Sequence, residues 1–131
     1  HLDTFAQQIA AGAIIHCGEL TRQRDISVLM RKNGDIVRVK PENLQNGSFS
    51  EWIEQNANNV YDMTREEQLN YAPNVLVHGN KDKETTVFIT RDGTPEFTQF
   101  IKTHAVNTVL LKMDELTKFY GGSHCATSEI R

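Results

Sequence analysis

Thr86-Val87-Phe88-Ile89-Thr90-Arg91-Asp92-Gly93-Thr94-Pro95-Glu96-Phe97-Thr98-Gln99-Phe100-Ile101-Lys102-Thr103-His104-Ala105-Val106-Asn107-Thr108-Val109-Leu110-Leu111 decides the class of the fold. Residues 86–89 are β-branched or aromatic and read as a buried strand. Thr94 then caps a helix with Pro95 at its first position, where a missing amide hydrogen leaves no bond unmade. Phe97, Phe100 and Ile101 fall on one helical face, and residues 108–111 return to a strand. Strand, helix and strand in this order predict an α/β chain with a mixed sheet and short helices, with α+β as the alternative.

Working outward, residues 75–77 make a short buried strand, while Asp114 caps a turn of helix holding Leu116 and Phe119. Thr64 with Glu67, and Ser48 with Glu51, read as capping boxes that open two helices. The helix after Ser48 turns Phe49, Trp52 and Ile53 inward. Asn33-Gly34 lies between the β-rich runs 26–30 and 36–39, which predicts a tight hairpin closed by Pro41. Residues 13–15 read as a buried strand, and the spacing of Leu2, Phe5 and Ile9 predicts a short opening helix that ends near Gly12. Asn43, Asn46, Asn56, Asn58 and Asn59 predict a loop-rich middle stretch. No low-complexity tract, linker or internal repeat stands out. Residues 1–131 read as one domain, with a subdomain change near residue 72.

Composition narrows the partners. A net charge of −3 argues against a nucleic-acid partner. No apolar run approaches the ~20 residues that span a bilayer, and no basic-then-apolar leader is present, so no membrane partner is expected. A soluble protein is the expectation, cytoplasmic or delivered into a target cell. Two cysteines, Cys17 and Cys125, form no Cys-x-x-Cys pair, and the five histidines show no His-x-x-x-His spacing. No metal site or cofactor is called for.

The chemistry concentrates in Tyr120-Gly121-Gly122-Ser123-His124-Cys125-Ala126-Thr127-Ser128-Glu129-Ile130-Arg131. Gly121 and Gly122 let the backbone approach a ligand closely. A thiol just after them, in polar surroundings, reads as a nucleophile at a turn tip, against the alternative of a buried structural cysteine. Cys17 follows Ala13-Ile14-Ile15 and reads as core, with His16 a satisfied strand histidine. His104, at a helix C-terminal end, complements the helix dipole.

Residues 86–131 resemble the final repeat of the guanidino-group-modifying superfamily, which includes arginine deiminases, protein-arginine deiminases and amidinotransferases. The resemblance rests on the strand and acidic turn Asn107-Thr108-Val109-Leu110-Leu111-Lys112-Met113-Asp114-Glu115-Leu116 and the glycine loop that ends in His124-Cys125. Members are about twice as long and are built as five pseudo-repeats around a channel. A reduced form of that repeat fold is therefore implied.

His1-Leu2-Asp3 is similar to the family's His-x-Asp pair, and Arg24-Asp25 to the element whose aspartate grips the guanidinium. The family places the Arg-Asp element before the His-x-Asp pair, whereas here it follows, which makes His78 a second histidine candidate. The resemblance implies thiol-dependent deimination or amidino transfer on arginine, free or in a protein, through a covalent Cys125 intermediate. Asp25, Gly121 and Gly122 would bind substrate, with Asp3 beside the histidine. A small catalytic domain of this kind fits a bacterial toxin warhead with a cognate immunity protein as partner. Two alternatives stand beside it: another Cys-His hydrolase, such as a deamidase or papain-like enzyme using Cys17 or Cys125, and a non-catalytic binding or immunity-type module.

Overall fold

Two stretches of the chain run through the same order of elements in this computed structural model, which describes residues 4–39, 41–79, 84–90, 93–113, 118 and 122–125. In the first, β1 (Ala6–Ala10) and β2 (Ala13–His16) form an antiparallel pair. The short α1 (Gly18–Thr21) and a hairpin of β3 (Val28–Lys32) and β4 (Asp35–Val39) follow. Next come α2 (Phe49–Asn56) and β5 (Asn59–Asp62), which returns parallel to β2. After α3 (Arg65–Leu69), the second stretch pairs β6 (Leu76–Gly79) antiparallel to β7 (Thr85–Ile89). It then runs through α4 (Pro95–His104) into β8 (Asn107–Leu110), parallel to β7.

The protein is thus mixed α/β: two three-stranded mixed sheets, β1-β2-β5 and β6-β7-β8, with short helices and a separate two-stranded ribbon. Among the described residues no helix is long and apolar enough to cross a membrane.

The duplication overturns the expectation of no internal repeat. Hydrogen bonds recur at equivalent places: Ala57 N to Ile53 O matches Ala105 N to Ile101 O, and Met63 N to His16 O matches Leu111 N to Ile89 O. Each unit is an antiparallel hairpin followed by a helix and a parallel strand. The two units share one core. Ile9, Ala13, Ile15, Cys17 and Met63 from the first pack with Val75, Val87, Ile89, Phe97 and Ile101 from the second. Tyr61 of β5 meets the rings of Phe97 and Phe100 of α4 at centroid distances of 5.7 and 5.4 Å.

Local chemistry explains most of the elements. Asn33 and Gly34 both have positive φ (53° and 94°), the turn that matches the twist of a two-residue hairpin. Thr94 accepts a hydrogen bond from Phe97 N, with Pro95 at the start of the helix. Thr64 and Glu67 form a complete capping box. Ser48 accepts from Glu51 N, but Glu51 does not reach back to it as expected. Its carboxylate instead accepts from the amides of Gln45 and Asn46, at 2.6 and 2.9 Å. Ile53 is buried; Phe49 and Trp52, half-buried, stack on each other at 6.0 Å.

The expected opening helix is a strand instead. Ala6 and Ile9, three apart, are both buried because the β1–β2 register slips between Gln8 and Ala10. A β-bulge inserts one residue and turns a strand's even spacing into an odd one, which imitates helical periodicity. The expected loop-rich middle stretch also contains β5, whose pairing with β2 makes it a strand despite its asparagine neighbours. The turn expected at Asp114, Leu116 and Phe119 lies outside the described residues.

The two units are joined by Glu67. Its carboxylate accepts from Thr94 Oγ1 of the second unit, from Tyr61 Oη at 2.9 Å, and from Thr64 N and Oγ1 at 2.8 and 3.2 Å. Burial by itself would raise the Glu67 pKa, but the bonds from Thr94, Thr64 and Tyr61 outweigh it and hold the group below its ordinary value of 4.5. A depressed carboxylate contributes stability that is present above 4.5 and lost as pH falls through the lower folded value. Glu67→Gln is therefore expected to cost about 1–3 kcal/mol at neutral pH, because the second side-chain amide faces a donor. The variant also loses part of the native protein's acid sensitivity below pH 4.5, as read from denaturant midpoints measured across pH.

Candidate functional site

Asn74 organises the cysteine loop. It follows Pro73, is separated from β6 by Val75 alone, and is fully buried. Its backbone carbonyl accepts from Ser123 Oγ at 2.8 Å. Its side-chain Oδ1 accepts from the backbone N–H groups of His124 and Cys125, at 3.2 and 3.3 Å. Those two donors settle the amide's orientation, since the flipped amide would set hydrogens against hydrogens. Nδ2 is then left facing Cys125 Sγ at 3.1 Å.

A second clamp holds the loop from beneath. Ser123 is fully buried, and its N–H donates to Thr90 Oγ1 at 2.8 Å. Each hydroxyl carries one proton; Phe88 O also lies 3.2 Å from Ser123 Oγ and Asn74 O 3.4 Å from Thr90 Oγ1, so each proton is assigned to the nearer acceptor. Thr90 Oγ1 donates to Ser123 Oγ at 3.2 Å, and Ser123 Oγ donates to Asn74 O. Thr90 directly follows β7, so the loop is anchored to the central strand of the second sheet. Gly122 is buried under this clamp. A Cβ placed there would come within 2.3 Å of Asn74 Oδ1, so only glycine allows the approach.

Cys125 itself is exposed at the end of this rigid turn. A sulfur open to substrate, with its backbone tied down on two sides and an amide N–H aimed at it, has the arrangement a nucleophile needs. The donor supports the negative charge that a reacting thiolate carries. Neither Asn74, Ser123 nor Thr90 was expected from sequence. Pro73-Asn74 reads as ordinary turn chemistry, and the role of Asn74 depends on a contact with Cys125 that no local pattern encodes.

The remaining expected residues are placed as follows. Cys125 and Gly122 are brought together by Asn74. His78 is exposed on β6, opposite Thr86 of β7, and Asp25 is exposed where the chain bridges to Ser48. The structure brings neither into hydrogen-bonding contact with Cys125. His1, Asp3 and Gly121 lie outside the described residues. Cys17 is buried in the shared core, closed to any substrate. His16 is buried beside it and hydrogen-bonds Thr21 Oγ1 at 2.9 Å. Burial holds its pKa below the ordinary 6.5 although Asp62 and Glu54 pull it up. These are structural residues.

A cleft of about 440 Å³ opens at the junction of the units, lined by Thr64, Glu66, Glu67, Asn70 and Thr94 among others. The Glu67 carboxylate in it is occupied by donors from the protein, so it has little capacity left to grip a cationic substrate. The loop of Cys125 is the stronger candidate. Comparison of the chain with protein-family models, with curated proteins and with solved structures finds no match, so the functional reading rests on the chemistry of this loop.

Proposed function

We propose that the protein modifies guanidino groups, those of arginine free or within a protein, through a covalent intermediate on Cys125. The observation that carries the reading is the exposed Cys125 thiol, held on a loop clamped by Asn74, Ser123 and Thr90 and faced by an amide donor. The repetition of a hairpin–helix–strand unit also supports it, because the superfamily that residues 86–131 resemble is built from repeats.

A guanidinium carbon is a weak electrophile, shielded by delocalised charge, so the reaction needs a thiolate and carboxylates that hold the cation in place. The Cys125 thiolate adds to that carbon and gives a tetrahedral adduct. A histidine passes a proton to one nitrogen, which leaves as ammonia, and an amidino-thioether remains. The same histidine then takes a proton from water as the water adds. The thiolate leaves, and the product is a ureido group. In amidino transfer the substituted nitrogen leaves instead, and an amine takes the place of water. His1 and His78 are the histidine candidates; Asp3 and Asp25 are the carboxylates.

Chloroacetamidine tests this reading, because its cationic amidine imitates the guanidinium. It is expected to alkylate Cys125 in the native protein faster than neutral chloroacetamide does, to leave Cys17 unmodified and to be slowed by arginine. Colorimetry should detect ureido product from free arginine or from an arginyl peptide. Equal rates for the two reagents, with no ureido product or amidino transfer from either substrate, would overturn the proposal.

A further inference from the structure

The β3–β4 ribbon has no counterpart in the second unit. There β7 leads to α4 through residues 90–94, whereas β2 and α2 are separated by residues 17–48. The excursion is closed at its base, where Ile26 N bonds Gly47 O and Phe49 N bonds Arg24 O. Among the described residues, the ribbon beyond that base hydrogen-bonds to neither three-stranded sheet, which leaves both of its edges open for pairing.

Its pairing places Leu29 opposite Arg38 and Arg31 opposite Ile36. Side chains alternate faces along a strand, so these four residues share one face. Leu29 is 64% exposed and Ile36 74%, large values for apolar side chains in a protein with a shared core. Arg31 and Arg38 are exposed and form no ion pair among the described residues. The face is therefore a checkerboard of two apolar and two cationic groups, and Leu29, Arg31, Gly34 and Ile36 line a shallow concavity on it.

We infer that this ribbon binds an extended polypeptide strand that presents acidic and apolar side chains in turn along one face, at every second residue, docked by β-augmentation along an open edge. On the β3 edge a carboxylate of that face meets Arg31 and an apolar side chain two residues away covers Leu29, on the β4 edge Arg38 and Ile36 are met in the same way, and backbone groups satisfy the edge. Charge complementarity selects this occupant. Arg31 and Arg38 lie on this face while the ribbon's one carboxylate, Asp35, falls on the other, and the chain as a whole is net −3. A second copy laid face to face would bring further arginines against this face with no carboxylate to pair them. A polyphosphate would leave Leu29 and Ile36 uncovered. Charged residues on an edge also discourage aggregation, but that role needs no apolar partners beside them. The inference is independent of the reading of Cys125.

Fluorescence anisotropy with a labelled peptide of Glu-Ser-Val-Ser repeats, which sets glutamate and valine in turn on one face, tests it, with Lys-Ser-Val-Ser repeats, polyglutamate and oligodeoxyadenylate as comparison probes. The Glu-Ser-Val-Ser peptide is expected to bind most tightly. Arg31→Glu with Arg38→Glu should weaken it by about tenfold or more, because two attractions become repulsions. Leu29→Ser with Ile36→Ser should bring its affinity down to that of polyglutamate. Unchanged chloroacetamidine labelling of Cys125 in both double variants shows that the fold is kept. Four outcomes overturn the inference: no binding, binding indifferent to the peptide's charge, tighter binding of the oligonucleotide, or self-association abolished by Leu29→Ser with Ile36→Ser.

Discussion

Cys125→Ser is expected to lower turnover of a guanidino substrate by at least about a thousandfold while leaving thermal stability near that of the native protein. Serine fits the exposed turn position, and the clamps that hold the loop do not depend on sulfur. Ser123 N still bonds Thr90 Oγ1, and the backbone N–H groups at 124 and 125 still bond Asn74 Oδ1. What is lost is the sulfur, a far stronger nucleophile than a hydroxyl oxygen. Asn74→Asp separates positioning from nucleophilicity. It retains an oxygen for the two backbone donors but replaces the amide that faces Sγ with a carboxylate. Stability should fall too, because a carboxylate then occupies a fully buried position, and alkylation of Cys125 and turnover both fall by about tenfold or more, since a like charge now opposes the thiolate. Asn74→Ala should remove both functions and loosen the loop. Persistent turnover in Cys125→Ser, measured with the protein purified from any active contaminant, would remove the thiol from the mechanism.

The fold was readable where neighbouring residues decide it. Asn33-Gly34, Thr94-Pro95 and the Thr64/Glu67 box act within a turn or two of chain, and each does in the structure what its residues require. The strand–helix–strand run from Thr85 to Leu110 has the same character. Sequence reading failed where partners distant in the chain decide. β5 is a strand because β2 lies beside it, and Ile9 faces the core through a bulge rather than a helical turn.

The duplication was visible in principle. Phe49, Trp52, Ile53, Ala57 and Asn59 recur as Phe97, Phe100, Ile101, Ala105 and Asn107, with the same spacing. The long excursion between β2 and α2 breaks the register with the strands before it, so the whole unit never repeats at one period. The same distinction governs the site. Cys125 announces itself through adjacent glycines and polar neighbours, whereas Asn74 and Thr90 reach the loop only after the second sheet has formed.

Gly122→Ala is the sharpest test of that arrangement, and its expected effect is a loss of about a hundredfold in turnover, with a measurable loss of stability. The added Cβ would lie 2.3 Å from Asn74 Oδ1 and 2.9 Å from its Cγ, closer than real Cβ contacts come. A flexible, exposed side chain would simply move aside. Asn74 is fully buried and bonded to the loop it would have to leave, so it has no nearby place to go. Either the amide swings away from Cys125 or the loop lifts from Thr90, and both displace the sulfur from the position in which it is held. Gly34→Ala supplies the control, because its surroundings are open and only its positive φ resists substitution. That variant should keep turnover and lose about 1 kcal/mol of stability by thermal melting. If Gly122→Ala matched it in turnover, the clamp built on Asn74 would have no part in presenting the thiol.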